Sequence, residues 1–179
     1  PVSGVPQVRT YGRDALGRIK TITTADGLTK LRYDEGPNAR GRLTSATSFD
    51  DVETAYEYND RGQPTVTRWT IGAETYHTER TYDPLGRLSF FRYPEVPGLA
   101  KRFEAGPGYN GHGYVASAGE HQQSQLLAAL WQVHARNEEG QLTEATFWNG
   151  VAEKRDYEPA SGRPSLLGAN GPDAHLLLG

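Results

Sequence analysis

Residues 82–94, YDPLGRLSFFRYP, change character halfway along. The first half, Tyr82 to Arg87, is turn chemistry. A type I turn favours Asp or Asn at its first position, Pro at its second and Gly at its fourth, and Asp83-Pro84-Leu85-Gly86 supplies all three. An Asp or Asn side chain bonds to the backbone two residues on, and glycine takes positive φ without steric cost. The second half, Leu88 to Tyr93, is aromatic-rich strand chemistry. A type I turn followed by a left-handed glycine closes a three-residue hairpin loop with a bulge. The stretch therefore predicts a hairpin tip, with Tyr82 ending one strand and Arg87-Leu88 opening the next.

The same pattern recurs seven times, at Gly17, Gly41, Gly62, Gly86, Gly113, Gly140 and Gly162, with spacings of 24, 21, 24, 27, 27 and 22 residues. Three places before the glycine stand Asp14, Asn38, Asn59, Asp83, Asn110 and Asn137; the last copy departs, with Pro159. One place after stand Arg18, Arg42, Gln63, Arg87, Tyr114, Gln141 and Arg163. Tyr58, Tyr82 and Tyr109 lie four before their glycines, Tyr157 five before, and Tyr11 and Tyr33 further upstream. Recurrence at this period marks a repeat architecture. Return turns are expected at Asp26-Gly27 and Asn149-Gly150, both strong two-residue hairpin signals, and less cleanly at residues 71–74 and 49–53. Two strands of about eight residues and two turns fill roughly the observed period. Pro64 and Pro164 fall where strands begin, a position that tolerates proline.

Composition fits this reading. Aliphatic residues are sparse, while Tyr, Trp and Thr are plentiful, which suits sheets with half-wet faces better than a thick core. No long segment shows helical periodicity between good caps, although residues 120–133, EHQQSQLLAALWQV, come closest. Around 94–126 the rhythm loosens, and its Pro and Gly predict a longer excursion before Tyr109-Asn110 restores the pattern. The formal charge of -3 gives no basic footprint for nucleic acid. No apolar run reaches the roughly 20 residues of a membrane-spanning helix. The chain opens on Pro1 and has neither Met nor Cys, so it reads as one segment, 1–179, of a longer polypeptide without disulfides.

The strings YDPLGRL, YNDRGQP, YDEGPNARGRLTS and ARNEEGQLTEATFWNGVAEKRDYEPASGRP resemble the YD repeats of Rhs proteins: bacterial Rhs polymorphic toxins, the B and C components of Tc toxins, and the YD shell of teneurins. The resemblance runs from about Tyr11 to Gly168. It implies an all-β fold of antiparallel hairpins laid side by side in a curved continuous sheet, a segment of a hollow shell. It also implies a role in a secreted or cell-surface bacterial protein, with the remainder of the shell and an enclosed toxin or effector domain as partners. Seven hairpins at ~4.8 Å per strand span roughly 65 Å, about half a turn of such a wall, and open strip edges invite self-association.

Candidate chemistry is thin. Asp83-Pro84-Leu85-Gly86 matches the DPxG letters of the self-cleaving cores that the resemblance brings with it, but it stands mid-chain in an ordinary repeat position and reads as a tip. Residues 106–113, GPGYNGHG, lack the Gly-Lys-Ser/Thr ending of a phosphate-binding loop and read as a loop or bulge. His77, His112, His121, His134 and His175 show no paired spacing for a metal, and neither a cofactor nor an enzymatic activity is expected. Trp69, Trp131 and Trp148 are the candidate ligand-surface aromatics of an alternative reading, an extracellular carbohydrate- or protein-binding adhesion module.

Overall fold

The computed structural model describes residues 8–122, 125–171 and 176–178, and among these there is no helix. The protein is all-β. Contacts divide it into two units: residues 1–81 with 92–102, and residues 82–91 with 103–179. The first unit is built on β1 (Thr10–Arg13), β2 (Ile19–Thr24), β3 (Gly27–Tyr33), β4 (Leu43–Thr47), β5 (Glu53–Tyr58), β6 (Pro64–Ile71) and β7 (Glu74–Tyr82). Each pairs antiparallel with the next in chain order. The second is built on β8 (Leu88–Arg92), β9 (Glu104–Tyr109), β10 (Val115–Gln122), β11 (Gln125–Arg136), β12 (Leu142–Phe147), β13 (Ala152–Tyr157), β14 (Pro164–Asn170) and β15 (Leu176–Leu178). It too runs in chain order, antiparallel from β9 onward.

Little apolar surface is fully enclosed. Among the described residues only Ala39, Phe90, Leu142 and Ala145 are buried hydrophobics, and no large side chain is completely shielded. Burial is the usual main source of stability, so sheets with this little enclosed surface must draw more on their ladders and on contacts between neighbouring hairpins. Alternation shows it: along β3 every second residue, from Lys30 to Arg32, faces water while Leu31 and Tyr33 are half-buried.

Two expectations are corrected below. Residues 120–122 end β10 and residues 125–133 belong to β11, in keeping with the all-β reading. Two bulges explain the helix-like spacing. Gly119 pairs with Ala129 and Ala118 with Trp131, and Glu120 pairs with Ala128 and His121 with Leu126, so Leu130 and Leu127 are extra residues that shift the alternation. The excursion expected before Tyr109-Asn110 lies at 93–103, between β8 and β9, whereas half of the 106–113 stretch expected as a loop or bulge is strand. There Gly106 serves packing. A Cβ on it would lie 2.8 Å from Phe90 Cα and 3.2 Å from Phe90 Cβ, so the bare backbone lets Phe90 lie close. Finally, the β2–β3 loop is Ala25-Asp26, since Thr24 pairs with Gly27.

The short excursion is held in the first unit by Arg102. Its Nε donates to Tyr93 O (2.6 Å) and its Nη2 to His77 O (3.0 Å), while Nη1 pairs with Glu79. Glu79 also takes Arg92 at 2.7 Å. Burial pushes the Glu79 carboxyl up, but the two guanidiniums outweigh it and hold it below the usual range.

Candidate functional site

The feature that repeats along both units is the hairpin tip. At Asp14 the backbone closes twice, Asp14 N donating to Arg18 O (2.9 Å) and Gly17 N to Asp14 O (3.0 Å). The same pair of bonds recurs at Asn59, Asp83, Asn110 and Asn137. In these copies Oδ1 also accepts the amide four residues on: Arg18 N at 2.9 Å, Gln63 N at 2.9 Å, Arg87 N at 2.9 Å, Tyr114 N at 3.0 Å and Gln141 N at 2.8 Å. In four of them the other side-chain atom meets the residue after the glycine, and its chemistry is matched. Asp14 and Asp83 take the Nε of Arg18 and Arg87, both at 2.7 Å. Asn59 and Asn137 donate to the Oε1 of Gln63 (3.1 Å) and Gln141 (2.8 Å). All seven tip glycines, Gly17, Gly41, Gly62, Gly86, Gly113, Gly140 and Gly162, have φ between 66° and 85°.

Two copies are built differently. In the second, Asp34 rather than Asn38 closes the loop: Asp34 N donates to Arg42 O (3.0 Å), and Gly41 N donates to Asp34 Oδ1 (2.6 Å). Asn38 instead adopts φ 57° and reaches across to Tyr58 O at 3.2 Å. In the last, Glu158 closes the loop, with Glu158 N to Arg163 O and Gly162 N to Glu158 O both at 2.8 Å. Counting forward from the tyrosine, as in Tyr33-Asp34 and Tyr157-Glu158, finds both residues; counting back from the glycine misses them.

The tips are also joined to one another. Tyr33 Oη donates to Ile19 O (2.8 Å), Tyr58 to Leu43 O (2.6 Å), Tyr109 to Leu88 O (3.0 Å) and Tyr157 to Leu142 O (2.9 Å). The acceptor is always the second residue after the preceding tip's glycine. The residue between them completes the stitch: Arg18, Arg42 and Arg87 sit over the rings of Tyr33, Tyr58 and Tyr109 at 4.4, 5.7 and 4.0 Å, within cation–π range. Arg42 Nε and Gln141 Nε2 further donate to Gly62 O (3.1 Å) and Gly162 O (2.9 Å) of the following tips.

The electrostatics match. The Arg18 guanidinium holds Asp14 and Asp34 below the usual carboxylate range, with backbone amides adding to the effect, and Arg18 is itself raised by the two carboxylates. At Asp83 burial pushes upward, but the Arg87 amide and guanidinium and the Leu85 amide more than offset it. Asp83 is thus fixed as a turn acceptor, with both oxygens occupied.

The remaining candidates are dispersed. Trp69 stands on β6 in register with Thr54 and Tyr76, and Trp131 on β11 in register with Ala118 and Phe147. Trp148, in the return turn before Asn149-Gly150, is 75% exposed. His121 is buried, with its ring 6.2 Å from that of Phe90, His134 bonds Thr146, and His112 lies in a tip. His175 falls outside the described residues. No cluster of His, Asp or Glu among the described residues could hold a metal ion, and no helix among them is long and apolar enough to cross a bilayer.

No family model and no curated protein matches the chain. Solved structures do. The TcdB2–TccC3 complex aligns with a TM-score of 0.59 and 16% identity, over 94% of this chain and 11% of that one. This is the fold found in Tc toxin complexes. The same complex without its hypervariable C-terminal region aligns with a TM-score of 0.59 and 16% identity over 92% of this chain and 10% of that one. The Photorhabdus luminescens Tc holotoxin pore gives 0.59 and 16% over 94% and 10%. The chain thus spans about a tenth of the length of these Tc toxin chains.

Proposed function

We propose that this chain is a non-enzymatic wall segment of a YD-repeat shell of the Rhs type, carried in an exported bacterial protein, whose role is to enclose a toxin or effector domain. The observation that carries the reading is the tip stitch, in which a tyrosine hydroxyl meets the second residue after the preceding glycine at four junctions, a pattern that can propagate along a strip of any length. Investment in contacts between repeats, with hardly any enclosed core, suits a solenoid-like wall, whose stability is a sum over neighbouring repeats. The likeness to Tc toxin complexes supports the same role. On this reading Asp83 has no catalytic part, and Asp83→Asn changes no processing.

Limited proteolysis of the full-length polypeptide carrying this segment tests the proposal. An enclosed domain resists protease until denaturant opens the shell; cleavage of that domain at the rate of its isolated form refutes enclosure. A second reading, glycan or protein binding at the surface, is favoured by one observation, the exposure of Trp148 beside the 40%-exposed Phe147. It requires retention on a glycan matrix that Trp148→Ala abolishes.

A further inference from the structure

The junction between the tips at Gly113 and Gly140 departs from the others in one respect. The residue after Gly113 is Tyr114 where four copies have arginine, and the residue before Asn137 is Arg136 where five copies have tyrosine before the closing residue. Both replacements keep the geometry. Arg136 Nη2 donates to Val115 O at 2.7 Å, the second residue after the glycine and the acceptor that a tyrosine hydroxyl uses elsewhere. Arg136 Cζ lies 5.0 Å from the centre of the Tyr114 ring, so the cation and the ring have traded strands. Tyr114 also takes the place of a post-glycine arginine over the next tip: a Cβ on Gly140 would fall 2.7 Å from its hydroxyl, as one on Gly62 would fall on the Arg42 guanidinium. Arg136 Nη1 adds a bond to Gly140 O (2.8 Å) in its own loop, as Arg13 does to Gly17 O (2.6 Å).

We infer that these two positions form a pairing code that decides which hairpin can lie beside which. A junction needs one ring, which it pairs with a cation in either order or, as at Gln141 and Tyr157, with a glutamine, and it rejects two cations. The code acts independently of what the wall encloses. It also specifies the neighbours that the outer tips fit. Arg163 fits a hairpin that brings tyrosine, whereas Arg13, at the tyrosine position of the first tip, fits a hairpin with an aromatic residue after its glycine. A second copy whose β1 took the place of β15 beside β14 would set Arg13 against Arg163, the rejected combination, so that mode of self-association is disfavoured.

The test is a double-mutant cycle on the 179-residue chain with Tyr114→Arg, Arg136→Tyr and the exchange that carries both. Opening of this junction is read from amide exchange in β10–β12, and overall stability from urea unfolding. Tyr114→Arg creates two facing cations and should raise the local opening constant about tenfold, equivalent to about 1.4 kcal/mol. Arg136→Tyr keeps a hydroxyl for Val115 O and should have the smaller effect. The exchange restores the common order and should return to within about threefold of the parent, a coupling far outside ordinary additivity. An exchange variant that opens as readily as Tyr114→Arg, or more so, overturns the code. Should Tyr114→Arg fail to fold, Tyr114→Lys alone, compared with Tyr114→Lys combined with Arg136→Tyr, supplies the same comparison.

Discussion

Consider alanine placed at Gly62 and, separately, at Gly17. The two backbones are nearly alike, with φ of 74° and 79°, so both variants bear the cost of a Cβ in the left-handed region, about 1–2 kcal/mol. Their surroundings differ. Nothing lies within 4 Å of a Cβ at Gly17, whereas one at Gly62 would fall 1.7 Å from Arg42 Nη2 and 2.2 Å from its Cζ. Arg42 must therefore leave, giving up its bond to Gly62 O and its place over Tyr58. A hydrogen bond from a charged donor contributes about 1.5–3 kcal/mol and an exposed cation–π contact about 0.5–1. Arg42 is only half-buried, and solvent screening brings the pair down to about 1–2 kcal/mol. Gly17→Ala should then cost about 1–2 kcal/mol and Gly62→Ala about 2–4. Amide exchange in the strands around each tip, β1–β3 for Gly17 and β4–β6 for Gly62, is the suitable assay, because repeat strips open locally. Equal losses, or a larger loss at Gly17, would refute the idea that post-glycine side chains lock onto the following tip.

Further outcomes are expected. Tyr58→Phe and Tyr109→Phe should each cost about 1 kcal/mol in urea unfolding, the worth of one ordinary hydrogen bond, while Tyr11→Phe, at a 49%-exposed ring, stays within about 0.5 kcal/mol. Phe90→Ala should cost about 3 kcal/mol or more, because the residue is 4% exposed and its ring packs near buried His121; Phe49→Ala, at 53% exposure, should cost far less. Asp14, Asp34 and Asp83 titrate lower folded than unfolded, so their contribution is complete above the unfolded value near 3.9 and is lost as pH falls through the lower folded values. Acid unfolding followed by circular dichroism should therefore steepen below about pH 4, and Asp14→Asn with Asp83→Asn should flatten that slope.

Much of this architecture could be read from residue spacing, because turn chemistry is local. Asp83 to Gly86 specify a tip through contacts spanning five residues, and the strands follow between tips. Reading failed where a longer-range contact decided the outcome. Gly106-Pro107-Gly108 resembles a loop, yet it is strand: it pairs with Ser117 to Gly119 of β10, and the bare Gly106 lets the backbone at Phe90, sixteen residues earlier, lie close. The leucines of 126–130 mimic a helix because two bulges reset the alternation, and pairing partners alone reveal bulges. Asn38 sits at the right distance from Gly41, but Asp34 follows the tyrosine and takes the closing bonds. The stitch lay hidden for the same reason: Tyr58 and Leu43 are fifteen residues apart, and their pairing needs the register of β4 and β5 to bring them together.

The most direct measurement is of through-space proton contacts in solution by nuclear magnetic resonance. Hairpins stitched tip to tip predict that the Tyr33, Tyr58 and Tyr109 rings show contacts to Arg18 and Ile19, to Arg42 and Leu43, and to Arg87 and Leu88 of the preceding hairpins. Rings that contact only residues of their own hairpin would contradict the account.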